Sequence, residues 1–291
     1  MDKLIRAIAD NAQLRCFAVN STETVEYARS AHNTSPVVTA ALGRLMTGAA
    51  MMGTMLGEES ELLTLQITGD GAVRGLVVTA DGEGNVKGYA KNPQAICSAS
   101  AAGKLDVGRI IGNGSLTVIK DMGLADPYNS TIELVSGEIG DDLANYFATS
   151  EQVPSGVGIG VLMNKDNTVR VAGGFIIQLM PFASEECISK LETNLARITS
   201  VTSLLDRMND PEEMLRFILQ DTDVEITDTR SIRFKCNCSR NRVEKALISM
   251  GKLQLEELID KNEPVELNCQ FCNTDYEFSP QEIKEIIRSL R

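Results

Sequence analysis

The sequence carries one histidine, His32, among 291 residues. It reads as a loop residue ahead of a helix cap at Ser35, which leaves no imidazole for a catalytic triad or a histidine-based metal centre. Positive charge is scarce as well: 28 basic side chains face 40 acidic ones, for a net charge of −12. A protein that coats a duplex or an anionic membrane needs a cationic surface, so nucleic acid and membrane are poor partners. The opening MDKLIRAIADNAQ mixes charged and apolar residues where an export signal needs an unbroken apolar run, and the chain reads as cytoplasmic. No GxxxxGK[ST] string occurs. The run Gly156-Val157-Gly158-Ile159-Gly160 lacks a third glycine at dinucleotide-binding distance and continues into a strand, so a phosphate cradle is disfavoured.

What is present suggests about two domains with an ample core. Ser35-Pro36 supplies an N-cap and a proline at the first helical position, and Val37 to Leu56 follows with only Arg44 charged. That run approaches the roughly 20 residues of a membrane span. A mid-span arginine is costly in lipid and no second span follows, so it is read as a central core helix. Gly43, Gly48, Ala49, Ala50 and Gly53 would let neighbouring elements come close. Leu62 to Thr68, Ala72 to Ala80 and Asn85 to Ala90 are β-prone runs parted by Gly69-Asp70-Gly71 and by residues 81–84. Arg109 to Lys120 and Thr131 to Val135 continue the pattern. A helix over Asp141 to Thr149 and a hairpin of Gly158 to Met163 with Thr168 to Ile177 complete an antiparallel sheet packed on helices, an α+β fold.

Residues 183–230 are built differently, with 5 basic against 11 acidic side chains. Ser184 can cap a helix whose apolar stripe is Ile188, Leu191, Leu195, Ile198, Val201 and Leu205. Asp210-Pro211-Glu212-Glu213 opens a short helix through Leu219, and Asp221 to Asp228 reads as acidic loop. Such a stripe is usually core. The excess of acid adds self-repulsion to a segment with one face to bury, so it should be held loosely.

Seven cysteines are odd in number, and a cytosolic chain keeps its thiols reduced, which argues for metal binding or redox chemistry over a disulfide framework. Cys16, Cys97 and Cys187 are scattered and read as small buried residues. Cys236 and Cys238, then thirty residues, then Cys269 and Cys272 form the strongest motif in the chain. Two close pairs far apart in sequence can give four thiolates to one tetrahedral Zn²⁺. Around them, two short helical patterns parted by Gly251, strands at Val265 to Asn268 and Tyr276 to Phe278, and a helix opened by the capping box Ser279-Pro280-Gln281-Glu282 and running through Ile283, Ile286, Ile287 and Leu290 hold little apolar mass. Bound zinc would then supply much of the folding energy, about 10–16 kcal/mol in zinc peptides.

This cysteine pattern, joined to the Gly43-Arg44-Leu45-Met46 helix and the Gly69-Asp70-Gly71 turn, closely resembles the 33-kDa heat-shock protein family of redox-regulated bacterial chaperones, over the whole chain. The resemblance implies a substrate-binding core over 1–182, a metastable helical linker over 183–230 and a small C-terminal four-cysteine zinc domain over 231–291 that acts as a redox switch. It implies no enzyme. The reduced form, with one zinc per chain, would be inactive. Oxidation would eject zinc, unfold switch and linker, and yield an ATP-independent holdase for unfolded or partly folded clients, often as a homodimer.

Within that scheme the expected disulfides are Cys236–Cys238 and Cys269–Cys272. They close only tiny loops and remove the long-range staple, and the first is strained and readily reduced. Lys235, Arg240 and Arg242 either favour the thiolates or offset the site's charge. Two other classes compete: a zinc-ribbon nucleic-acid binder, disfavoured by a balanced 10 against 10 charge over 231–291, and a thiol-disulfide oxidoreductase using Cys269 and Cys272, which expects its CxxC at a helix N-terminus.

Overall fold

The computed structural model describes residues 1–58, 60–100, 103–208, 210–260 and 263–289. The chain forms two compact units, Met1–Lys235 and Cys236–Arg291. In the first, strands β1 (Lys3–Ala9) and β2 (Leu14–Asn20) lead to helices α1 (Thr22–His32) and α2 (Pro36–Gly53). A meander follows: β3 (Leu62–Gly69), β4 (Gly75–Asp81), β5 (Asn85–Ala90), the short α3 (Val107–Ile111), β6 (Gly114–Asp121) and β7 (Tyr128–Glu133). Then come α4 (Gly140–Tyr146) with a π turn at Phe147–Glu151, β8 (Ser155–Met163) and β9 (Val169–Leu179). Helices α5 (Glu185–Ala196), α6 (Val201–Met208) and α7 (Pro211–Ile218) precede β10 (Val224–Ser231) and β11 (Arg233–Phe234).

These strands make two sheets where one was expected: β10-β1-β2-β9-β8 and β11-β5-β4-β3-β6-β7. All pairings are antiparallel except β11 with β5. Helix α2 is the centre of the main core. Ser35 caps it, its Oγ accepting from the Val38 N–H at 3.4 Å, and Pro36 occupies the first turn. Its apolar residues meet Leu65, Val78 and Leu116 of the six-stranded sheet and Phe17, Val19 and Ile176 of the five-stranded one. Among the described residues no helix is long and apolar enough to cross a membrane. Arg44 instead forms an ion pair with Glu138 at 2.5 Å.

The five-stranded sheet is apolar on both faces. One faces α2; the other, carrying Ile5, Cys16, Ala18, Val171, Phe175 and Ile177, packs on Cys187, Leu191, Leu204, Leu205, Met214, Leu215 and Ile218 of α5 to α7. The glycines of the Gly156-to-Gly160 run lie on that second face, because alternate residues of a strand share a side. A Cβ on Gly156 would come within 2.7 Å of Leu195 Cδ1, and one on Gly160 within 2.6 Å of Thr202 Cγ2. The run that looks like a nucleotide loop is a flat bed for helices.

Several local expectations are corrected. His32 ends α1 and does not sit in a loop. Residues 109–111 belong to α3, and β6 starts only at Gly114; Ala72 to Arg74 form a turn, with Arg74 at φ 66°, before β4. The stripe from Ile188 to Leu205 is split between α5 and α6, with residues 197–200 outside either helix. Residues 221–228 are not all loop, since β10 starts at Val224 and pairs with β1. Cys16 and Cys187 are buried, but Cys97 is half-buried. Strands β1 and β2, with no forecast behind them, build the middle of the five-stranded sheet.

The second unit holds α8 (Arg240–Ser249), α9 (Lys252–Asp260), the hairpin β12 (Val265–Asn268) and β13 (Asp275–Phe278), and α10 (Pro280–Ser289). Gly251 parts α8 from α9 at φ 91°, a left-handed conformation that suits glycine. Its core is small: Leu247, Leu255, Phe278, Ile283 and Ile286. Leu290 lies outside the described residues.

Small residues on α2 decide how closely its neighbours approach. A Cβ on Gly43 would lie 2.6 Å from Val25 of α1 and 2.9 Å from Val161 of β8. Gly43→Leu should therefore force both away and lower stability by about 1–3 kcal/mol, read as a fall in the urea midpoint; an unchanged midpoint would contradict this packing.

Candidate metal centre

Two local structures bring the four cysteines together. Residues 235–239 run without regular structure until Ser239, whose extended backbone and Oγ, accepting from the Arg242 N–H at 3.3 Å, start α8. In extended chain, residues two apart point the same way, which suits Cys-x-Cys. Cys269 and Cys272 sit in the turn between β12 and β13. There the Cys269 carbonyl accepts from the N–H groups of Cys272 at 3.2 Å and Asn273 at 2.7 Å, and Asn273 takes φ 57°. The Asn268 side chain steadies the turn by donating to Asn273 and Asp275. The CxxC thus lies in a hairpin turn and not at a helix N-terminus, which removes the geometry an oxidoreductase of that kind requires.

All four sulfurs lie within 4.8 Å of one another, each on a half-buried residue. Cys236 Sγ is 3.7 Å from Cys269 Sγ, and Cys238 Sγ is 3.3 Å from Cys272 Sγ. Thiolates around a tetrahedral ion with metal–sulfur bonds of about 2.3 Å stand about 3.8 Å apart, so the donor set and its spacing fit such an ion. Both of these contacts run across the pairs, so each links chain segments more than thirty residues apart.

Two neighbours of the sulfurs have no motif to announce them. The Tyr276 hydroxyl donates to Cys238 Sγ at 3.1 Å, and Thr274 Oγ1 lies 3.2 Å from Cys272 Sγ. Burial pushes the Cys236 thiol up to about 12 and raises that of Cys238. At Cys272 burial is outweighed by hydrogen bonds from the Thr274 hydroxyl, from Cys238 and from the Thr274 backbone, which bring it down to about 7. A metal takes thiolates, so loading this site expels protons and its affinity falls as pH falls. Arg240 is committed elsewhere: its guanidinium lies 4.3 Å from the centre of the Phe278 ring and 2.5 Å from Glu282. The remaining cysteines stay out of the cluster. Burial raises Cys16 and Cys187 to about 12, as expected of inert thiols in a core.

Residues 2–279 match the family described as Hsp33 protein. The chain is 59% identical to the 33 kDa chaperonin of Lachnoclostridium phytofermentans over 98% of both chains. It is 45% identical to that of Geobacillus kaustophilus, over 98% of this chain and 97% of the relative. The crystal structure of the 33 kDa chaperonin from Thermotoga maritima superposes with a TM-score of 0.93 at 36% identity, covering 99% of this chain and 98% of that one.

Metal binding by the four sulfurs predicts that Cys269→Ser weakens zinc affinity sharply in a chelator competition titration of the reduced chain, while Cys97→Ser leaves it unchanged. Equal affinity in Cys269→Ser and the parent would sink the assignment.

Proposed function

The chain belongs to the Hsp33 family of chaperones, and from that premise we propose that it is a redox-regulated, ATP-independent holdase of the cytoplasm. Cys236, Cys238, Cys269 and Cys272 hold one zinc ion in the reduced, inactive form. The bound ion supplies a cross-link between the two cysteine pairs and keeps their sulfurs deprotonated. Peroxide oxidises the thiols of Cys236 and Cys238, and of Cys269 and Cys272. Each pair of thiolates gives up two electrons to form one S–S bond, and each peroxide takes those electrons together with two protons from solvent to become two waters. The disulfide sulfurs are no longer thiolate ligands, so the long-range link between the pairs is lost.

The observation that carries this reading is the position of residues 183–230. Helices α5 to α7 cover an apolar face of the five-stranded sheet, and the first two of them do so with few buried side chains. In α5 only Cys187, Leu191 and Asn194 are buried, and in α6 only Leu204 and Leu205. After α7 the chain passes through β10 and β11 to Lys235, the last residue of this unit, which is bonded to Cys236. Stability varies locally within a fold, and a thinly packed acidic cover is the part that opens first. Opening bares Ala18, Val171, Phe175 and Ile177 of the sheet and the apolar stripe of the helices, two surfaces for unfolding clients. No nucleotide motif is present to couple ATP to release. The oxidised form is read as a homodimer.

The small core of the second unit supports a metal-dependent fold, and in this reading disulfides form within each pair as that fold is lost. Sequence-near thiols then have the highest effective concentration. Peptide mapping of the peroxide-treated chain should find Cys236–Cys238 and Cys269–Cys272; a main species with either member of one pair bonded to a member of the other would refute it. Leu195 lies against Gly156. Leu195→Glu should loosen the cover and raise aggregation suppression by the reduced chain. If hydrogen exchange shows its linker open and its zinc retained while it stays inactive, linker release is not the activating step.

A further inference from the structure

Strand β10 is the edge of the five-stranded sheet, and it belongs to the same acidic segment as the covering helices. Its partner β1 is of another kind: Leu4, Ile5, Ala7 and Ala9 are buried, so β1 stays in the sheet whatever happens at its edge. The pairing between them is imperfect. Lys3 to Arg6 face Ser231 to Asp228, and Ala7 to Ala9 face Ile226 to Val224, which leaves Thr227 as a bulge whose hydroxyl donates to the Arg6 carbonyl at 3.1 Å. Val224 and Ile226, opposite Ala9 and Ala7, lie half-buried on the face toward α5 to α7; beyond the bulge that face passes to Thr229 and Ser231, opposite Ile5 and Lys3, both exposed. Asp228 and Arg230, opposite Arg6 and Leu4, turn to the other face, tied to each other at 2.6 Å and, through Asp228, to Arg6 at 4.0 Å. Glu225 and the bulged Thr227 are exposed as well.

We infer that β10 is a built-in placeholder on the β1 edge, and that in the oxidised chaperone an extended segment of an unfolding client takes its place as an antiparallel strand on Lys3–Ala9. This inference rests on the holdase reading and names where and how that activity grips its substrate.

The chemistry favours the exchange in one direction. Any unfolded chain carries the same backbone donors and acceptors, so strand addition gives affinity without demanding a particular sequence. β10 pairs with the seven residues of β1 only by way of its bulge; a client segment without one pairs with them continuously, and one with apolar residues at alternate positions fills, on the α7 side, the places where β10 sets Thr229 and Ser231. Departure of α7 bares the Met214, Leu215 and Ile218 side of the same sheet end, where those alternate side chains would lie. In the reduced chain β10 denies the edge to other strands, as exposed edges must be denied. Proline, which cannot donate to the ladder, is excluded from the paired stretch of a client.

Hydrogen exchange on the full oxidised chain tests this, with reduced and carboxymethylated α-lactalbumin as a permanently unfolded probe that brings no free thiol. Without probe, amides of residues 3–9 and 224–231 should both exchange faster than in the reduced chain. With probe bound, those of β1 should slow again while those of β10 stay fast. Probe held while β1 remains fast, or while β10 remains protected throughout, would overturn the inference. An oxidised chain that holds no probe would overturn the holdase reading and this inference with it, and is told apart by the binding measurement itself. As a second check, Lys3→Cys with Ser231→Cys, residues opposite one another in the register, should form a staple on oxidation that keeps β10 in place. Probe binding should then fall roughly tenfold or more relative to Ser231→Cys alone; equal binding by the mapped, stapled chain would be decisive against the exchange.

Discussion

A sheet that is apolar on both faces must be covered on both. In this protein the five-stranded sheet meets α2 on one side and α5 to α7 on the other. The two covers differ in kind. Helix α2 is buried nearly all round, between two sheets, and its small residues let Val25, Val161 and Leu143 come into close contact. The second cover is amphipathic, acidic on its outer side, and rests on a bed of strand glycines that offer it little to interlock with. One side of the sheet is therefore permanent, and the other is held by far less apolar burial. The proposed hiding and presenting of an apolar surface would use that asymmetry.

The second unit shows the same economy. Among the described residues five buried apolar side chains form its core, a thin one for a unit of this size. Four sulfurs within 4.8 Å of one another, drawn from an extended segment and a hairpin turn, are the place where its distant parts meet. Tyr276 and Thr274 add hydrogen bonds to two of those sulfurs, and Arg240 braces the hairpin to α10 through Phe278 and Glu282. A unit organised around thiols is one whose fold can respond to their oxidation state.

The glycine run of β8 illustrates how a motif is settled by its surroundings. Its spacing already argued against a phosphate loop, and its place on the helix-bearing face supplies the positive reason: Gly156, Gly158 and Gly160 accept Leu195, Val201 and Thr202. The Arg44 charge in an otherwise apolar helix is explained in the same way, by an ion pair with Glu138. The cap at Ser279, by contrast, was legible residue by residue. Its N–H and hydroxyl donate to Glu282, and its Oγ accepts from the Glu282 N–H, the reciprocal pattern that Ser-Pro-Gln-Glu spells out.

What the sequence by itself determined is local chemistry: helix starts at Ser35, Ser184 and Asp210, the meander turns at Gly69-Asp70-Gly71 and residues 81–84, the hairpin around the CxxC, and the identity of the four clustered thiols. Each depends on residues a few places apart, whose preferences are written in their own side chains. Only the tertiary structure decided that Val224–Ser231, acidic and threonine-rich, is a strand, because its partner is Lys3–Ala9 at the other end of the chain. It likewise decided that β1 and β2 stand mid-sheet, that the apolar stripe breaks at residues 197–200, and that Tyr276 reaches Cys238. Strand pairing and side-chain contact across such separations follow from where packing brings two segments together, and short-range pattern carries no record of the partner.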